Sequence, residues 1–378
     1  MKIPFSHQKK STDNTPALRN EKFPLFAIIL YGIAVVSLIL YIVMTKSPGF
    51  ADWFNGSIGA AVRSTLSILT SWIPFSVGEA VILLIPLGLF LVLRLAVRRY
   101  CGSWKAAFIY VGVLLSLAAT LFSVFTLGFA AGYRGSSLDQ KLGLERAPVS
   151  AQELYDTAVI LIDNVNELTS EVEFGGDRFS VMPYSLREMN RHLNTAYRQI
   201  SPQYTFITHV NSQVKPVLIS EVMSHMHITG VYSFFTGEAN LNVNFPDYTL
   251  PYTAAHEMAH QRGIAREDEA NFMAFLVCTA SDDPYIRYSG YLNAYEYVAS
   301  ALYRASPDLY YKAAGRLSDS VKGEMAAYND FYDQYRDTTA GQVSGAINNS
   351  YLQSQGTPGT VSYGMVVDLT VAYYKAQE

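Results

Sequence analysis

The sequence predicts a mainly α-helical protein with a small β element, in which three transmembrane helices precede an α+β domain. The chain has 378 residues, 50% of them hydrophobic and 16% charged. This apolar excess over ordinary globular composition indicates membrane segments. Three long apolar runs lie near the N-terminus, and helix signals with one β-type stretch follow them.

Each apolar run is long enough to cross a bilayer as a helix. The runs lie at about residues 24–45, 77–97 and 106–131. About 20 apolar residues span a hydrocarbon core of about 30 Å. One such run could be a buried helix or a signal peptide, but three with polar separators predict membrane insertion. The first run has no small-x-small cleavage site, so we interpret it as a retained anchor.

Lysine and arginine residues are distributed unevenly around these runs. The tail before the first run contains Lys2, Lys9, Lys10, Arg19 and Lys22. The end of the second run and the loop that follows it contain Arg94, Arg98, Arg99 and Lys105. The loop after the first run holds only Lys46 and Arg63. The positive-inside rule therefore predicts a cytoplasmic N-terminal tail at residues 1–23, a transmembrane region at 24–132 and an extracytoplasmic domain at 133–378 of a multi-pass cell-membrane protein.

Composition and short motifs exclude several classes of protein. The two cysteines, Cys101 and Cys278, would lie on opposite sides of the membrane and could not pair. A net charge of −4 without a long basic run in the second half argues against a nucleic-acid partner. The nucleophile signature GxSxG is absent. Three spans with almost no charge offer little pathway for a transporter or channel.

The chain between and after the spans carries signals for further helices and a hairpin. Residues 58–73 predict a helix at the membrane interface. Ser150 and Glu153 form a capping box that opens a helix through about Leu168, and residues 184–199 predict another helix. Glycines, β-forming residues and alternating polarity at 228–245 predict a hairpin or an edge strand.

The C-terminal part of the chain is predicted to be helical with one interruption. Tyrosine-rich helices extend from residue 284 to about 337. The stretch 341–359 is rich in Gly, Ser and Asn and predicts a break. A last apolar segment follows at 362–374.

The pattern HExxH follows the predicted hairpin in the sequence, at His256, Glu257 and His260. On a helix, positions i and i+4 share a face, so both imidazoles can reach one ion. Glu257 lies beside that face, where it can take a proton from zinc-bound water. Small and apolar flanking residues indicate a buried helix, whose histidines would need partners such as a metal. Gly263 is predicted to end this helix.

A third ligand is predicted among the acids that open the next helix. Acidic side chains are favoured in the first turn of any helix, so each of the three acids also has an ordinary explanation. Glu267 shares a stripe with Asn271 and with small residues, which suits close approach to the HExxH helix. Glu269 shares its stripe with bulkier residues. Glu267 is preferred, with Glu269 as the alternative and Asp268 behind both.

The pairing of HExxH with a following ExxA[D/N] element resembles the glutamate-type zincin peptidases. The resemblance implies a zincin-like domain in which His256, His260 and Glu267 bind zinc, Glu257 is the general base and Asn271 supports the site. The familiar glutamate zincins have their third ligand much farther along the chain. The choice between Glu267 and Glu269 therefore stays open.

The chain also resembles, over nearly its whole length, a family of bacterial membrane proteins catalogued as domain of unknown function 3810. The matching features are PFSVGE at 74–79, TGEANLN at 236–242, HExxHQRG and EDEANF. This resemblance implies a membrane context and adds no reaction.

These observations predict a membrane-anchored zinc metallopeptidase that hydrolyses peptide bonds of envelope or membrane-proximal substrates. The predicted partners are the lipid bilayer and a peptide or protein substrate. The alternative is a non-catalytic envelope protein in which zinc or a His/Glu cluster is structural, and a structural zinc would be closed by four protein ligands. Residues 237–244 are the candidate edge strand for substrate, and Tyr232, Tyr291 or Tyr363 for stabilising an oxyanion.

Overall fold

The computed structural model describes residues 22–100 and 104–377. The predictions on Cys101 and on most of the N-terminal tail, including Lys2, Lys9, Lys10 and Arg19, lie outside these residues. Within them the protein is mainly helical with one small sheet, as the sequence predicts.

Three helices are long and apolar enough to cross a membrane, at Leu25–Lys46, Val77–Leu95 and Trp104–Arg134. The helices of this region are α1 (Leu25–Lys46), α2 (Pro48–Phe54), α3 (Ala60–Ser71), α4 (Val77–Tyr100), α5 (Trp104–Phe125) and α6 (Ala131–Arg134). Wider π-helical turns at Asn55–Gly59 and Thr126–Ala130 join α2 to α3 and α5 to α6. The three apolar helices are compatible with anchoring in a bilayer, and their orientation stays a prediction.

The predicted interfacial segment forms the end of the α2–α3 helical stretch. Ile68, Leu69 and Trp72 are exposed on it. Arg63, by contrast, is completely buried and donates to Asn55 Oδ1 at 2.8 Å and to the Gly128 carbonyl at 2.7 Å. This helix therefore has an apolar outer face and a polar inner contact with the rest of the protein.

The helices after the spans pack around one large apolar core. They are α7 (Leu138–Leu142), α8 (Ala151–Leu168), α9 (Leu186–Ile200), α10 (Ser220–His225), α11 (Thr249–Gln261), α12 (Glu267–Thr279), α13 (Pro284–Ala305), α14 (Pro307–Ala314), α15 (Asp319–Asp333), α16 (Thr339–Ser354) and α17 (Val366–Lys375). The predicted capping box of α8 forms in both directions, because Ser150 accepts from the Glu153 N–H and Glu153 from the Ser150 N–H. The adjacent helices α11 and α12 are almost entirely buried.

The small sheet has the strand order β1 (Lys215–Pro216), β3 (Glu238–Leu241), β2 (Gly230–Ser233). Strands β2 and β3 form the predicted hairpin, and β1 pairs with β3 in parallel. The prediction that residues 237–244 form an edge strand is wrong, because β3 is the middle strand. The two-residue β1, for which the sequence has no signal, covers its other side.

The prediction of a break at 341–359 is also wrong over most of its length, since α16 (Thr339–Ser354) runs through it. The short 3₁₀ segment Gly359–Met365 begins at the last residue of the predicted break. Thr338 caps α16 by accepting from the Gly341 N–H. A Cβ atom at Gly341 would lie 2.4 Å from the ring of His227. The glycine at this position therefore allows close packing on a helix and does not interrupt it.

Candidate metal centre

Helix α11 holds both histidines of the HExxH pattern and ends in a tight turn. The Ile264 N–H donates to the Ala259 carbonyl at 3.1 Å, and the Gly263 N–H donates to the His260 carbonyl at 3.0 Å. Gly263 has a φ of 97°, a left-handed conformation that glycine adopts without strain. This turn brings the first residues of α12 back beside the histidines, so the short connection suffices for a third ligand.

Three buried side chains converge at this point. The Nε2 atoms of His256 and His260 lie 3.2 Å and 3.4 Å from the same oxygen, Oε2 of Glu267. The three potential ligand atoms all lie within 4.8 Å of one another, and the group could hold a metal ion. Two imidazole nitrogens and one carboxylate oxygen form the donor set of many zinc sites.

Hydrogen bonds on the far side of each ring orient the two histidines. His260 Nδ1 lies 2.7 Å from the Ile264 carbonyl, which can only accept, so this nitrogen carries the proton. His256 Nδ1 lies 2.8 Å from Oδ1 of Asn271, whose Nδ2 donates to the Tyr363 carbonyl. The Nε2 atoms, which face Glu267, are therefore the nitrogens that could bind a metal when the rings are neutral.

The electrostatics of the cluster favour positive charge between its members. Burial would lower the pKa of His260, but the Glu267 carboxylate outweighs it and raises the pKa to about 9. Burial would raise the pKa of Glu267, but the two imidazoles hold it well below its usual range. The Glu267 carboxylate is thus ionised, and it favours a positive charge on the imidazoles beside it.

Glu257 is buried beside the cluster and has one free oxygen. The Tyr232 backbone N–H in β2 donates to this carboxyl group, whereas its Oε2 is buried without a hydrogen-bond partner. Burial raises the pKa of Glu257. A Cβ atom at Gly230 would lie 2.6 Å from Glu257 Oε1, so the glycine leaves the space that the carboxyl group occupies. An unpaired buried oxygen of this kind is suited to accept a proton from a nearby water.

The structure brings Glu267, and not the other two acids, to the histidines. Glu269 Oε1 accepts from the Leu138 N–H and from Arg266, both at 2.9 Å. Asp268 accepts from Arg146 at 3.0 Å. Both carboxylates are thus occupied in contacts with neighbouring segments, which explains the acidic cluster without assigning all three to a metal.

The three tyrosines proposed from the sequence lie in different places. Tyr363 lies beside the cluster, since the charges of Glu267 and Glu257 add to burial in raising its pKa. Tyr232 contributes its backbone N–H to Glu257. Tyr291 packs against Phe275 and has no contact with the cluster. Of the three, Tyr363 is the one whose pKa the charges of Glu267 and Glu257 raise.

Sequence reasoning missed the contribution of the third span and of α16. The ring of Phe129 lies 5.8 Å from the ring of His260 in an edge-to-face arrangement. The hydroxyls of Tyr133 and Tyr351 lie 3.3 Å apart, and burial followed by the nearby Glu267 charge contributes to raising the pKa of Tyr351 to about 12. No pattern in the sequence links these residues to the distant HExxH motif.

A buried polar network joins the loop after the first span to the end of the HExxH helix. Asn55 Nδ2 donates to the Gly263 carbonyl at 2.9 Å, and Arg63 holds the Asn55 side chain. Gln261 Nε2 donates to Ser67 Oγ at 3.1 Å. The His/Glu cluster is therefore fixed directly to the helices that connect the candidate spans.

Comparison with known proteins identifies one family. The model of a family described as protein of unknown function (DUF3810) matches residues 54–371, which include the second and third spans and every residue of the cluster. Neither the curated proteins nor the solved structures contain a significant match to the chain.

Proposed function

The chain belongs to the DUF3810 family, whose function is unknown, and we propose that it is a membrane-anchored zinc metallopeptidase. The observation that carries this proposal is the convergence of His256, His260 and Glu267 next to Glu257, whose Oε2 is buried and unpaired. Each of these four side chains is in a position that hydrolysis would use.

The residues present fit a zinc ion with an open coordination position. Their donor set is two nitrogens and one oxygen, and no fourth His, Cys, Asp or Glu joins the group within residues 22–100 and 104–377. A structural zinc normally has four protein ligands, whereas a catalytic zinc keeps one position open. When bound, zinc would supply Lewis-acid polarisation of the scissile carbonyl and would lower the pKa of water.

In the proposed reaction the protein's own side chains bind, orient and transfer protons. His256 and His260 are fixed as ligands by Asn271 and the Ile264 carbonyl. Glu257 would accept a proton from the attacking water on Oε2 and later give it to the leaving amine. The Tyr232 N–H donates to the same carboxyl group, and Oε2 is the oxygen that has no partner.

The small sheet supports a position for the substrate backbone. Strand β2 is an edge strand and is the strand whose backbone contacts Glu257. An extended peptide would add to such an edge by main-chain hydrogen bonds. Tyr363, close to both acidic residues, is our candidate for stabilising the oxyanion. We further propose that this part of the chain faces the extracytoplasmic side and acts on envelope or membrane-proximal peptides.

The test compares the metal content and peptidase activity of wild type and Glu257→Gln, purified without chelator. Activity is measured on a library of quenched fluorescent peptides. We expect stoichiometric zinc in both proteins and a fall in kcat/KM of about a hundredfold or more in the variant. The exposed Glu171, changed to glutamine, is the matched control and should retain full activity.

The other outcomes separate the alternatives. Wild type without zinc would contradict the proposal, and equal hydrolysis by both proteins would remove Glu257 from the mechanism. Zinc in both proteins, no hydrolysis by either and unfolding on metal removal would indicate the structural alternative. An inactive alkaline-phosphatase reporter at the C-terminus would contradict the proposed topology.

A further inference from the structure

A second feature that could bind a ligand is a cavity of about 380 Å³ near the ends of two candidate spans. Its lining includes Thr45, Arg134, Arg146, Arg266 and Gln355. Thr45 belongs to α1, Arg134 ends α6, and Gln355 follows α16. The cavity has no part in the chemistry proposed for Glu257 and the metal ligands.

One of the three arginines that line the cavity has no carboxylate partner among the described residues. Three arginines line it against two carboxylates, Asp268 and Glu269. Arg146 pairs with Asp268 at 3.0 Å, and Arg266 pairs with Glu269 at 2.9 Å. Arg146 also pairs with Asp368, which is not part of the lining, at 3.6 Å. Arg134 is left without an acidic partner among the described residues.

Arg134 is held in position by aromatic contacts and keeps a donor free. Its Nη2 atom donates to the hydroxyl of Tyr41, and its guanidinium lies 5.1 Å from the centre of that ring. Its Nε atom is buried and donates to nothing in the described part of the chain. The side-chain oxygen Oε1 of Gln355 is likewise buried without a partner among the described residues. Unsatisfied buried polar atoms are rare, and two of them belong to residues that line this one cavity.

The cavity lies at the ends of two candidate spans, the level at which we expect the boundary between membrane and water. Thr45 lies in the last turn of the first candidate span, and Arg134 is the last residue of the third. The neighbouring Ser136 N–H donates to Asp52 at 3.0 Å, which fixes α2 at the same level. Trp53, next to Asp52, is 57% exposed, and exposed tryptophan is typical of the interface. Lipid phosphates occupy this level of a bilayer.

We propose that this cavity binds the phosphate group of an anionic membrane lipid. Arg134 supplies the charge and the free Nε–H donor, and Gln355 accepts from a hydroxyl group of the headgroup. A phosphodiester with a glycerol headgroup matches both unsatisfied atoms, whereas the uncompensated arginine disfavours a choline cation. This site requires neither zinc nor peptidase activity.

The test uses the full chain in detergent and measures binding of short-chain phosphatidylglycerol, short-chain phosphatidylcholine and inorganic phosphate. We expect wild type to bind phosphatidylglycerol about tenfold more tightly than phosphatidylcholine, and Arg134→Gln to lose about tenfold in affinity. Arg304→Gln removes an exposed arginine far along α13 and should change nothing. If Arg134→Gln does not fold, Arg134→Lys keeps the charge without the Nε donor and should show a smaller loss of affinity.

Three results would overturn the proposal. These are equal binding of the two lipids by wild type, unchanged lipid affinity in the Arg134 variants, and inorganic phosphate that competes as strongly as the lipid. The last result would identify a site for free phosphate. Because the readout is lipid binding, its failure is distinct from a failure of zinc binding or hydrolysis.

Discussion

Replacing Gly230 by alanine tests how the protein holds Glu257. The added Cβ atom would lie 2.6 Å from Oε1, 2.8 Å from Cγ and 3.0 Å from Cδ of Glu257. An ordinary contact begins at 3.4 Å, so the carboxyl group must move by about 0.8 Å, the difference between these two distances. Gly230 does not have a positive φ, so alanine introduces no backbone strain of its own.

The expected result is a loss of catalysis with retention of metal. A displacement of about 1 Å of a catalytic group costs about a hundredfold in rate. We therefore expect Gly230→Ala to lower kcat/KM by about this factor, as measured with quenched fluorescent peptides. Metal content should equal that of wild type, because no metal ligand is among the atoms nearest to the added methyl group.

The control and the contradicting outcomes are equally specific. Gly176→Ala makes the same change where nothing lies within 4 Å of the new Cβ atom, and should be fully active. A Gly230→Ala protein with wild-type kcat/KM would show that Glu257 does not need its position. Loss of metal in that variant would show that the displacement extends to the ligands.

Three further predictions concern the neighbours of the site and the core. Asn271→Ala removes the partner of His256 Nδ1 and should weaken metal affinity by about 10- to 100-fold in a chelator competition, and unchanged affinity would refute the orienting role. Glu267→Gln should abolish tight metal binding, because it removes the carboxylate beside the two histidines. Glu269→Gln should keep the metal and lower the melting temperature, because it breaks a buried contact with Arg266. The reverse pattern of metal content and melting temperature would exchange the two roles. Burial raises the pKa of Glu296 to about 7, so this group stabilises the fold fully below its unfolded pKa of about 4.5, and that stability is lost as pH rises through 7. Glu296→Gln should therefore raise the free energy of unfolding at pH 8 by about 1–3 kcal/mol and change it little at pH 4, and a gain independent of pH would contradict the assignment.

Several elements could be predicted because their signals are local. The three apolar helices follow from length and composition. The start of α8 follows from a Ser and a Glu three residues apart, which bond each other's backbone N–H groups. The end of α11 at Gly263 follows from a conformation that other residues adopt at a cost.

Other elements were not predictable because distant contacts decide them. The sequence of α16 reads as a break, yet the buried Leu352 and the packing of Gly341 on His227 stabilise a helix. Strand β1 has only two residues, so pairing with β3 defines it and no periodicity can. The prediction of an edge strand at 237–244 was wrong because β1, which pairs with the other side of β3, has no signal in the sequence.

The sequence by itself determined the pair of histidines and the glutamate between them, because helical spacing places i and i+4 on one face. It also limited the candidates for a third ligand to a few acids. Only the tertiary structure shows which of these acids lies beside the histidines, since Leu138 and Arg146, both more than 100 positions away, bind Glu269 and Asp268 instead. The same holds for Gly230 and Phe129 beside the site and for Arg134 in the cavity, whose surroundings exist only once distant segments pack together.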